Sequence, residues 1–132
     1  MSPLISGTSL PMTANFQHDG VEVSVLLGAY LSGGEPTQDA LAYSAHLIAK
    51  MSLFKQYAAS CLLALYNEVW LDEDIGTLDE EAFANKLSAP TVHLYDELGT
   101  ALVYFDDGGI FAGHSIEVTI ENGVPCHAQI VG

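Results

Sequence analysis

The chain contains no arginine. Histidine aside, its basic side chains are Lys50, Lys55 and Lys86, against 17 aspartates and glutamates, so the formal charge is −14 over 132 residues. Without guanidinium groups there is no bidentate clamp for phosphate or carboxylate ligands. With so few cations there is little counterion release to gain on a nucleic acid, and an anionic membrane surface repels the chain. Nucleic acid and membrane are therefore excluded as partners. Long apolar runs are also missing: no stretch approaches the ~18 apolar residues of a membrane span. The opening MSPLISGTSLPM has neither a basic n-region nor a sustained apolar run, which predicts a cytoplasmic protein. Cysteine is scarce. Cys61 and Cys126 lie far apart in apolar, periodic segments, a pattern that predicts reduced, buried thiols rather than a disulfide framework.

What the chain does have is apolar mass. Its hydrophobic fraction is 49% and its mean hydropathy +0.27, enough for one α+β domain spanning 1–132 with a filled core. Some apolar surface is left over for a partner or a second copy, so a homodimer is an open expectation. The negative field speeds encounters with cations or a basic protein at modest ionic strength.

Along the chain, Met12, Ala14 and Phe16 alternate with polar residues, His18-Asp19-Gly20 supplies turn chemistry, and Val21, Val23 and Val25 alternate again, predicting an N-terminal hairpin. Leu31–Pro36 is a breaker cluster, with Thr37 as N-cap of a first helix. Helical periodicity runs on to Val69. One helix over 37–70 would be about 50 Å long, longer than a globule of this size, so a break is expected near Lys50-Met51-Ser52, with Ser52 as the second cap. The apolar face expected on that helix is Leu53, Phe54, Tyr57, Cys61, Leu62, Leu65, Tyr66 and Val69. Thr77-Leu78-Asp79-Glu80 reads as a capping box opening a short helix that stops before Pro90. From there the period turns to two, predicting a meander of about four antiparallel strands, with a turn at Glu97-Leu98-Gly99. For the last hairpin, parity favours a three-residue Glu121-Asn122-Gly123 loop. That loop pairs Val118 with Cys126 and sets Glu117 opposite His127, with Gly123 at positive φ.

Candidate chemistry is sparse. His93, His114 and His127 are weak candidate ligands for one metal ion on the meander, with no ligand spacing to fix them; no cofactor is called for. Glu117 opposite His127 would be an acid–base pair only in a closed cleft. Ser115 beside His114 cannot form a nucleophile–base pair by adjacency, because successive strand residues face opposite sides, and Ser60 has no evident base. Eleven acidic residues crowd positions 68–107. Of these, Asp72, Glu73, Asp74, Asp79, Glu80, Glu81, Asp96, Glu97, Asp106 and Asp107, together with Phe111, are the candidate contacts to a basic protein partner. Asp72–Gly76 lacks the ligand alternation of a calcium loop. The stretch FDDGGIFAGHS, residues 105–115, gathers two aspartates, three glycines and a histidine. Gly108, Gly109, Gly113 and His114, like Gly123 further on, are expected to shape loops, with Ile110 and Phe111 folding back as a plug.

From Ala64-Leu65-Tyr66-Asn67-Glu68-Val69-Trp70 to the run Leu102–Val118 around FDDGGIFAGHS, and on to the glycine ending Ile130-Val131-Gly132, the chain resembles small uncharacterised bacterial domains of unknown function. Several such families stand beside polymorphic-toxin or contact-dependent toxin genes and are taken to be immunity proteins. The resemblance implies a partner-binding α+β domain that occludes a toxin, and supplies no catalytic residues. A metal-dependent enzyme built on the strand histidines, or a self-associating structural domain, are the alternatives.

Overall fold

The computed structural model describes residues 13–18, 21–26, 31–32, 35–36, 38–94 and 100–132. Strands β1 (Thr13–His18) and β2 (Val21–Leu26) form the expected hairpin, with Phe16 opposite Val23. A two-residue pair, β3 (Leu31–Ser32) and β4 (Glu35–Pro36), occupies the breaker cluster. Helices α1 (Gln38–Ala49) and α2 (Met51–Leu65) follow, then a π-turn at Tyr66–Trp70, helix α3 (Glu80–Lys86), and strands β5 (Ser88–Leu94), β6 (Thr100–Asp106), β7 (Ser115–Glu121) and β8 (Val124–Val131). Thr37 and the Glu97–Gly99 turn lie outside the described residues.

The fold is α+β. The meander β5-β6-β7-β8 is antiparallel throughout, and the N-terminal hairpin extends it through a parallel β2–β5 contact, giving the order β1-β2-β5-β6-β7-β8. Period-two alternation sends Val92, Val103, Phe105, Ile116, Val118 and Ile120 to the helix-covered face, where all are buried. α2 lies across β7 and β8 and packs on α3.

The two helices break at Lys50, whose backbone (φ −102°, ψ 15°) sits in the bridge region and whose N–H bonds Leu47 O at 3.0 Å. Lys50 occupies the cap position with no side-chain cap, so Ser52 lies inside the helix and is not its cap. Lys50 instead reaches the last hairpin, where its Nζ donates to Gly123 O at 3.4 Å. The buried spine of α2 is Phe54, Ala58 and Leu62, spaced by four and continued by Tyr66 of the π-turn. Leu53, Cys61, Leu65 and Val69 fall one position off that stripe and are exposed, correcting the expected apolar face. Both cysteines are free, as expected, but exposed rather than buried.

Two other local expectations are corrected. The cap of α3 is Asp79, whose Oδ1 accepts from Ala82 N at 2.7 Å, rather than Thr77. The last hairpin turns on two residues, Asn122 (φ 53°) and Gly123 (φ 79°), both left-handed as a tight hairpin turn requires. Parity is restored by a bulge: pairing steps from Ile120↔Pro125 to Thr119↔His127, so Cys126 is the extra residue and Val118 meets Ala128.

Candidate functional site

The stretch 105–115 is built around a buried carboxylate. Asp107 is fully buried; its Oδ1 accepts from Gly109 N at 2.8 Å, and its Oδ2 accepts from Phe111 N at 2.9 Å and Gly113 N at 3.0 Å. Three backbone donors converge on one side chain because Gly108 (φ 65°), Gly109 (φ 87°) and Gly113 (φ 85°) curl the chain around it. At Gly108 a Cβ would run into the Lys86 carbonyl, so the loop is pressed against the end of α3. Asp106 is exposed, and its Oδ1 accepts from Gly108 N at 3.2 Å.

Phe111 is the plug. It is fully buried and meets Tyr66, Trp70 and Phe83 edge-on, with ring centroids 6.0, 5.6 and 6.0 Å away. His114 Nδ1 hydrogen-bonds Phe111 O at 2.5 Å, and its ring lies 5.7 Å from Trp70. A carbonyl only accepts, so Nδ1 carries the proton in this bond. Asp107 and Phe111 therefore offer no surface to a partner, which removes both from the candidate contacts. The reason is the same for each: the loop turns them inward to close the core.

The other carboxylates behave differently. Glu68, Asp72, Glu73, Asp74, Asp79, Glu80 and Glu81 are all exposed, and Asp96 and Glu97 lie outside the described residues. The loop that carries them is tied down by two side chains from the π-turn. Tyr66 Oη donates to Gly76 O at 2.9 Å and accepts from Asp72 N at 3.4 Å. Asn67 pairs with both backbone groups of Leu78, each at 3.0 Å. The second tie holds Leu78, next to Asp79–Glu81, against Asn67, next to Glu68, and the exposed acidic segment from Glu68 to Glu81 closed by it is termed the ridge. Val69, 70% exposed, and Leu71, 45% exposed, stand within it. An open groove of about 480 Å³ between α2 and α3, lined in part by Lys55, Gln56, Glu80 and Glu81, continues the ridge along the helices.

The histidines do not assemble. His93 is on β5 and His127 on β8, with β6 and β7 between them. Three strand spacings are roughly 14 Å, beyond what one ion can bridge. His114 is engaged by the loop. Among the described residues no three His, Cys, Asp or Glu side chains are grouped to hold a metal ion. The expected Glu117–His127 pair is also replaced, because the bulge moves His127 opposite Thr119 and puts Gln129 opposite Glu117. Glu117 accepts from Tyr104 Oη and from Gln129 Nε2, both at 2.8 Å. His93 lies edge-on to Tyr104 at 4.9 Å; its pKa is held below 6.5, chiefly by burial, with the Glu117 charge acting in the opposite sense. This Tyr104–Glu117–Gln129 ladder was legible only with the bulge in place. Ser60 Oγ donates to Tyr57 O at 2.8 Å, a bond inside its own helix, and is no activated nucleophile.

The fold and surface define an α+β domain with one helix-covered sheet face and a braced acidic ridge. By comparison with known families, the chain belongs to DUF2262, uncharacterised proteins conserved in bacteria, whose model matches residues 12–130. No curated protein and no solved structure matches it. No helix among the described residues is long and apolar enough to cross a membrane.

Proposed function

We propose that this chain is a cytoplasmic protein-binding domain, an immunity protein that neutralises a basic bacterial toxin by covering it with the ridge from Glu68 to Glu81. The observation that carries the reading is the pairing of exposed Val69 and Leu71 with carboxylates on a backbone pinned by Tyr66 and Asn67. Interfaces draw affinity from a few apolar anchors and draw orientation and encounter rate from surrounding charge. A braced loop also loses less conformational entropy on binding. From Gln56 to Asn85 the chain has no lysine or histidine to balance seven carboxylates within 68–81. A basic surface would relieve their mutual repulsion.

The test uses the purified product of the neighbouring gene. Its affinity for the chain should fall as salt rises. Val69→Asp should weaken binding at least tenfold at every salt concentration, and Asp72→Asn/Glu73→Gln/Asp74→Asn should flatten the salt dependence. Binding that is unchanged in both variants would overturn the assignment of the ridge.

A further inference from the structure

We propose that the open cavity beside His114, on the sheet face turned away from the helices, binds a small primary-ammonium ligand. The inference does not rest on the ridge. The cavity holds about 380 Å³, within the size range of small-ligand sites. Its floor is Tyr104, Ser115 and Val131, on the three adjacent strands β6, β7 and β8. These side chains alternate away from Phe105 and Ile116, which are buried under the helices. Residues 112–114 form the wall. They are held because Asp107 captures the N–H groups of Phe111 and Gly113 and because His114 Nδ1 donates to Phe111 O. A wall fixed in this way needs no ordering when a ligand enters.

His114 sets the hydrogen-bonding character of the cavity. Its ring proton is on Nδ1, so Nε2 presents a lone pair, and Nε2 has no hydrogen-bond partner among the described residues. A side chain at Gly132 would collide with the Cδ2–Nε2 edge of the ring, and Gly132 and His114 line the same cavity. That edge therefore calls for a donor. Two carboxylates set the charge. Glu117 stands opposite Tyr104 and accepts its hydroxyl at 2.8 Å, and exposed Asp106 stands opposite Ser115. From Leu87 to Gly132 the chain has no lysine to neutralise them.

A matching ligand carries positive charge and N–H donors. A primary ammonium offers both: its three donors suit Nε2 and the Ser115 hydroxyl, and its charge is favoured by the two carboxylates and by the Tyr104 ring. A quaternary ammonium brings the charge without the donors, and an alcohol brings a donor without the charge. The two features can therefore be tested apart.

The full chain is titrated with n-butylammonium, tetramethylammonium, n-butanol or sodium chloride at constant ionic strength, and amide NMR shifts are followed. Butylammonium should give saturable shifts centred on Gly113, His114, Ser115 and Gly132. Tetramethylammonium and butanol should each bind about tenfold more weakly or worse. Glu117→Gln, which keeps an acceptor oxygen for Tyr104, should weaken butylammonium about tenfold. Should that variant disturb the sheet, the comparison of ligands on the wild type carries the test alone. Shifts centred on the ridge carboxylates, equal shifts from sodium, tetramethylammonium binding as tightly as butylammonium, or no saturable shift would each overturn the site.

Discussion

At the scale of single residues, Asp107 is the side chain on which the loop depends. A carboxylate with no exposed surface is tolerated because three backbone N–H groups solvate it in place of water. Asp107→Ala leaves those donors without their acceptor, and a buried unsatisfied donor costs about 1–3 kcal/mol. Only the Phe111 bond is fully buried, so the expected loss is about 1–3 kcal/mol, with Asp107→Asn, which keeps one acceptor oxygen, falling between wild type and alanine. Urea unfolding measures it; a midpoint unchanged in the alanine variant would refute the staple. His93 gives a second residue-scale prediction. Its folded pKa lies below 6.5, so between the two values the unfolded chain binds more protons and stability rises with pH. As pH falls through 6.5, the folded state loses stability until His93 is protonated in it too. A His93→Gln variant should lack this component of the pH dependence, read as the difference between the two unfolding curves, and an NMR titration should place the His93 midpoint below 6.5.

At the scale of elements, the end of α2 joins core to ridge. The π-turn turns Tyr66 and Trp70 toward Phe111 and leaves Val69 in solvent, while Tyr66 and Asn67 hold the acidic loop. Tyr66→Phe keeps the ring contact with Phe111 and removes only the hydroxyl. It should cost about 1–2 kcal/mol and speed amide exchange at Asp72 and Gly76, leaving the meander protected. Uniformly faster exchange across β5–β8 would mean the hydroxyl supports the whole core instead. The strands were legible in the sequence because alternation of apolar residues at 92–94, 101–105 and 116–120 leaves one arrangement that buries them all. The last hairpin was not, because the parity argument assumes an unbroken ladder and the bulge at Cys126 breaks it. The α2 face was legible only by half. A broad apolar pattern does not say which stripe faces the sheet, and the choice of Leu62 and Tyr66 over Cys61 and Leu65 is set by tertiary packing. Thr77 as cap of α3 failed because Asp79, two residues on, is the residue whose side chain reaches a free N–H of the first turn.

At the scale of the whole molecule, the charge of −14 is the dominant long-range term. Self-repulsion destabilises a compact state, and added salt screens it. The thermal midpoint should thus rise as sodium chloride is added at low ionic strength and level off once the Debye length falls below the spacing of the ridge carboxylates. A midpoint that falls with salt would show attractive ion pairs outweighing repulsion. The candidate site was legible as composition, since the acidic run is plain in the sequence, but its membership was not. Asp107 and Phe111 share the run's chemistry and are withdrawn by the loop that carries them, while Val69 reads as core by helical period and is exposed by the π-turn.

The most direct test of the central claim is growth rescue. Cells expressing the neighbouring gene's product are supplied with wild-type chain, with Val69→Asp, with Asp72→Asn/Glu73→Gln/Asp74→Asn, or with Glu121→Gln, an exposed charge at the last hairpin beside the opposite end of α2. The account predicts that wild type and Glu121→Gln restore growth, while the two ridge variants, folded and equally abundant, do not. Protection by the ridge variants equal to wild type, or a neighbouring product that neither arrests growth nor binds the chain, would contradict it.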